Sequence, residues 1–154
     1  MSRRVFLPVE GAQRPAATLD AVRARLGGRA RTDQQAGRVV CFLDTGATGV
    51  VIFGSGSDVH VFSGAGWVRR TTLDALTPID DPAPELDAIA CDVRVFAALE
   101  EGARVRFQDV SGLADGTLIE KCRYGAVVRR DDDRVMGVGF RRIWPLANPC
   151  DAPS

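Results

Sequence analysis

From Gly37 onward, apolar residues recur at every second position over short runs. The stretches "GRVVCFLD" (37–44), "GVVIFGSGSDVHVF" (49–62) and "GWVRRTTLDALTPI" (66–79) read as β-strands, with Gly46, Gly49, Gly54, Gly56, Gly64 and Gly66 marking tight turns. Upstream the period is that of a helix. Thr18-Leu19-Asp20 offers a cap, Leu19, Val22 and Leu26 fall on one face, and Gly27-Gly28 supplies the stop. "IDDPAPELD" (79–87) has four acids and two prolines and reads as a linker, while "ACDVRVFAALEEG" (90–102) fits either a strand or a short helix. The strand period then returns in "ARVRFQDVSG" (103–112), "GTLIEKCRYGAVVRR" (116–130) and "RVMGVGFRRIWPL" (134–146), with turns expected at "SGLADG" (111–116) and "RDDDR" (130–134).

The two strand-rich blocks can be superposed. Arg38-Val39 falls on Arg104-Val105, Val50-Val51-Ile52 close to Thr117-Leu118-Ile119, and Thr77-Pro78-Ile79 on Trp144-Pro145-Leu146. One scheme describes both: an opening strand, a glycine turn, a hairpin, a third strand and an exit ending at proline. The expected organisation is an N-terminal extension with a short helix (1–36), a first small barrel (37–79), an acidic linker (80–101), a second barrel (102–147) and a tail (148–154). Barrels of this size bury little core alone, so they are expected to pack together or with the N-terminal helix, which is placed on the first.

Charge supports the linker reading. The chain is neutral overall, but the balance is +4 over residues 1–79, −6 over 80–102 and +3 over 103–146. Neutrality argues against strong non-specific DNA binding, which needs a sustained cationic excess. Cys41, Cys91, Cys122 and Cys150 form no Cys-x-x-Cys pair and have only His60 to join them, so neither metal nor other cofactor is expected. Cys41 and Cys122 sit in strand contexts that suit small buried side chains. No export or membrane segment is apparent, which places the chain in the cytoplasm with reduced thiols.

Residues 102–146 resemble the small SH3-like barrels of the Tudor/KOW kind. "EGARVRFQD" opens the barrel, a Gly-Thr strand turns at Arg123-Tyr124-Gly125, a second turns at the aspartate-rich tip, and the last runs into Pro145. The resemblance implies a mainly β fold of two tandem SH3-like β-barrels. It also implies a non-enzymatic module that binds a protein partner or structured RNA of the transcription or translation machinery. Arg123, Tyr124, Arg141, Arg142 and Trp144 combine cationic and aromatic surface in the second barrel and are the expected contact residues. Phe107 and Phe140 are expected in the core.

A second, shorter resemblance lies in "CFLDTGATGVVIF" (41–53), which is similar to the active-site loop of retroviral-type aspartic proteases. It implies a homodimer using Asp44 as one of two carboxylates that share a proton. The later apolar-apolar-Gly segment of such proteases leads into a helix. Its nearest counterpart here, Val135-Met136-Gly137, leads into a strand instead, so Asp44-Thr45-Gly46 reads better as a turn. A Ser55 or Ser57 nucleophile would need His60 as base, and alternation makes His60 a solvated or weakly packed strand residue. A subunit that self-associates through strand edges is the remaining alternative.

Overall fold

The computed structural model describes residues 19–30, 35–65 and 67–146, together with the backbone of 3–6. The chain adopts the expected mainly β fold, two antiparallel sheets in tandem with a short N-terminal helix. The first sheet contains β1 (Arg3–Phe6), β2 (Val39–Phe42), β3 (Thr48–Ser55), β4 (Asp58–Phe62), β5 (Trp67–Thr72) and β6 (Leu76–Pro78), in the order β1-β5-β4-β3-β2-β6. The second contains β7 (Arg104–Asp109), β8 (Gly112–Lys121), β9 (Gly125–Arg130), β10 (Val135–Gly139) and β11 (Ile143–Pro145), in the order β10-β9-β8-β7-β11. Setting β1 aside, the two orders are the same.

The interruptions correspond as well. β3 slips register against β4 between Val51 and Phe53, and β8 slips against β9 between Leu118 and Glu120. A 3-10 turn, Leu73–Ala75 in one sheet and Phe140–Arg142 in the other, precedes the short last strand, which returns to pair with the opening strand. Each feature recurs 67 positions later, as Leu73 against Phe140 and Leu76 against Ile143 show.

Several expectations need correction. The acidic linker is largely a helix, α2 (Pro84–Ala98). Pro84 stands at its start, where a missing N–H costs nothing, and Glu85 and Asp87 oppose the positive end of its dipole. Ile89, Ala90, Val93 and Phe96 line one face and are buried in the same cluster as Val50, Ile52, Phe62 and Val68 of the first sheet and Val105, Phe107, Leu118 and Phe140 of the second. The two sheets and α2 therefore share one core, in which Phe62 and Phe96 both meet Phe140 edge-on.

The N-terminal helix, α1 (Leu19–Arg25), covers the second sheet rather than the first. Val22 and Leu26 are buried with Cys122 and Val127, whereas Leu19 remains 40% exposed. Arg23 clamps the helix in place by donating to Glu120, with Nε 2.6 Å from Oε2 and Nη2 3.1 Å from Oε1, and this holds the buried carboxyl below its usual range. The extension preceding α1 also contributes a strand, since β1 pairs with β5. The turn expected at 111–116 is shorter: residues 110–111 turn, and Leu113, Ala114 and Asp115 already pair with β7.

Lys121 joins the second sheet to α2. Its Nζ donates to the carbonyls of Phe96 (2.8 Å), Ala97 (3.1 Å) and Leu99 (2.9 Å) at the C-terminal end of the helix. Burial lowers its pKa to about 8, which leaves the ammonium protonated at neutral pH.

Candidate functional site

The residues expected to form a contact surface do not gather in one place. Tyr124 is buried, with 4% of its surface exposed, and is not a stacking platform. The turn that carries it is held against the end of α1, because Arg123 N–H donates to Gly28 O and Tyr124 N–H to Leu26 O. Gly27, at φ +85°, makes room for the ring: a Cβ there would stand 2.6 Å from Tyr124 Cε2. Arg123 Nη1 donates to Gly27 O at 2.6 Å, and its guanidinium lies 5.1 Å from the centre of the Phe53 ring. Arg141 points toward α2, with Nε 2.9 Å from Asp92 Oδ2, and Arg142 is half-buried on the same 3-10 turn.

Trp144 is half-buried on β11, opposite Arg106 of β7. With Arg106, Leu113, Pro145 and Leu146 it lines an open cleft of about 510 Å³. Leu113 is 62% exposed, and Val110 in the turn before it is 85% exposed. Arg106 donates to Asp115 at 2.8 Å, so the cleft is apolar with a neutralised ion pair at its edge.

Asp44 sits in the exposed turn after β2. Thr45 Oγ1 accepts from Ala47 N–H, and Gly46, at φ +72°, returns its N–H to Phe42 O. Its carboxylate is held by Arg69, with Nη2 2.6 Å from Oδ2, which keeps it ionised below the usual range.

His60 departs most from expectation. It is 4% exposed, with Nδ1 2.8 Å from Tyr124 Oη and Nε2 3.6 Å from Asp58 Oδ2. The geometry fits a neutral ring that accepts from the tyrosine hydroxyl and directs its Nε2–H toward the carboxylate. Asp58 in turn accepts from Arg70 Nε at 2.9 and 3.2 Å. Strand alternation placed Asp58, His60 and Phe62 on one face but gave no sign that this face meets the other sheet. The usable signals were a glycine pair at 27–28 and the chain's only tyrosine at a turn, next to the space they leave.

Burial holds the His60 pKa below its ordinary value. Arg70 and Arg123 act in the same direction, and Asp58 opposes them. In acid, the unfolded chain therefore binds a proton on His60 before the folded chain does. Stability from this group is full above pH 6.5 and is lost as pH falls from there through the folded pKa. Urea midpoints should decline between pH 7 and pH 5 in the native chain and flatten over that range in His60→Gln, since no other histidine is present.

Among the described residues, no three His, Cys, Asp or Glu side chains stand close enough to hold a metal ion. Cys122 is buried, its thiol pushed up to about 12 by that burial, while Cys41 is half-buried and Cys91 exposed. Cys150 lies outside the described residues. Among the described residues no helix is long and apolar enough to cross a membrane. The sequence matches no known protein family, and no curated protein matches it either.

Proposed function

We propose that the chain is a non-enzymatic binding module, built as two SH3-like barrels in tandem, that recognises a protein partner through the cleft beside Trp144. The observation that carries this reading is the cleft itself, where Leu113, Trp144, Pro145 and Leu146 offer apolar surface to solvent next to an almost fully exposed Val110. A large aromatic anchor flanked by aliphatic side chains is the composition of an interface centre. The common strand order, register slips and 3-10 turns support the tandem reading and the resemblance to Tudor/KOW-type barrels. That resemblance sets binding as the expectation without assigning a ligand.

Protein is favoured over structured RNA because the nearby guanidiniums already have carboxylate partners. Arg104 pairs with Asp131, Arg106 with Asp115 and Arg141 with Asp92, which leaves little free charge for phosphates. The partner is taken to present an apolar side chain to Trp144 and Leu113. Asp44 is read as a turn residue, since a carboxylate paired with Arg69 is poorly placed to share a proton with a second aspartate. The exposed Cys91 suits the reducing cytoplasm.

Leu113→Asp tests the cleft without disturbing the core. The tagged chain should retain a protein partner from lysate after nuclease treatment, and the variant should retain at least about tenfold less, the loss expected when a contact worth more than about 1.4 kcal/mol is removed. Equal retention by the variant would refute the cleft, and nuclease-sensitive retention would replace the protein partner with RNA.

A further inference from the structure

A second cavity opens where the two sheets and the end of α1 meet. It measures about 340 Å³ and is lined by Asp58 and His60 of β4, Val68 and Arg70 of β5, Arg123 and Tyr124 of the β8–β9 turn, and Gly27. Its size falls in the range of small-molecule sites and exceeds what a bare ion needs. His60 and Tyr124, both nearly inaccessible and bonded to each other, supply two buried polar groups at its wall.

Two guanidiniums share the cavity, and neither is used up. Arg70 contacts Asp58 through Nε alone, so both of its terminal nitrogens are without an acceptor among the described residues. Arg123 spends Nη1 on Gly27 O and its face on Phe53, which leaves Nε and Nη2. Against these two cations stands one carboxylate, Asp58. Charge-assisted donors reaching one small volume from different elements suit a tetrahedral anion with several oxygens better than a planar carboxylate.

We propose that this junction cavity binds the phosphoryl group of a small molecule, gripped by Arg70 and Arg123 beside His60. The site stands apart from the cleft at Trp144 and does not depend on it. A dianion held there favours the imidazolium form of His60, which gains its proton at Nδ1, where the Tyr124 hydroxyl turns to accept it, and keeps Nε2–H directed toward Asp58 and the bound oxygens. Binding and protonation of His60 are therefore coupled, each strengthening the other to the same degree.

Inorganic phosphate and sulfate are the probes, followed through the ring resonances of the single histidine. Sulfate keeps its charge between pH 5 and pH 7, so any pH dependence of its binding reports on the protein. Both anions should give saturable shifts at millimolar concentration, with sulfate binding more tightly at the lower pH. Arg70→Gln, on a half-exposed side chain outside the core, should weaken both by at least about tenfold through loss of charge-assisted bonds. Asp58→Asn, which removes the opposing charge, should tighten them. Leu113→Asp should leave them unchanged, so failure of the cleft and failure of this site are told apart. A response that does not saturate, or one equally strong in Arg70→Gln, would overturn the proposal. A phosphorylated small molecule that outcompetes inorganic phosphate would identify the phosphoryl group as part of a larger ligand, and competition no better than free phosphate would restrict the site to the free anion.

Discussion

Lys121→Met is expected to cost about 3 kcal/mol of stability, the balance of losing charge-assisted bonds to buried acceptors against no longer burying an ammonium. Helix α2 carries no basic residue in its own last turn, so the negative end of its dipole is met from outside the helix. Lys121, 8% exposed, does this with all three of its protons, bonding the carbonyls of Phe96, Ala97 and Leu99, of which Phe96 O also accepts from the Leu99 N–H at the helix cap. Its ammonium also lies 4.7 Å from the centre of the Phe96 ring. Methionine fills nearly the same space but donates nothing to these oxygens. Urea unfolding would measure the loss directly, and melting should fall by roughly 10 °C. A variant as stable as the native chain would mean that the burial cost of the charge equals everything the three bonds return.

Gly125→Ala should be comparably severe, at about 3 kcal/mol, the upper end of what overpacking costs. Gly125 opens β9 opposite Gly139 of β10. A Cβ at this position would stand 2.1 Å from Val138 O and 2.9 Å from Leu26 Cδ2. The first obstacle is backbone within the sheet, so relief requires β10 to move and the ladder to open. The second is the residue that fixes the end of α1. Gly46→Ala is the instructive comparison. It meets nothing within 4 Å but sits at φ +72°, so only the left-handed backbone penalises it, by about 1 kcal/mol. Unfolding both variants side by side separates strain in a turn from collision in a sheet. Equal losses would contradict the distinction.

The strands were legible because each carries its own signal. Val50 to Phe53, Asp58 to Phe62 and Val127 to Arg130 alternate or run apolar between glycine turns, and the sheets formed where that pattern placed them. Helix α2 was ambiguous for a physical reason. Val93 and Val95 alternate as in a strand, yet Val93 is buried and Val95 exposed on a helix whose inward face is set by Ile89, Ala90, Val93 and Phe96. The acids and prolines at its start, read as linker composition, are also what a helix N-terminus takes. Contacts between distant parts of the chain left no local trace. His60 and Tyr124 lie 64 residues apart and meet only because the two sheets enclose a common core. Tyr124 sits at a hairpin tip, where sequence logic expects exposure, and α1 folds over that tip. Trp144 kept a half-exposed position, but Arg123 turned to the Gly27 carbonyl and the Phe53 ring, and Arg141 to Asp92 on α2.

Helix α2 fills the space between the sheets and contributes to the interior of both. Neither half could be lifted out and grafted into another protein as a self-sufficient cassette, since each would carry away a hollow where the helix had been. A change on the inward face of α2 would therefore be felt by both sheets at once, and the two halves would have to vary together.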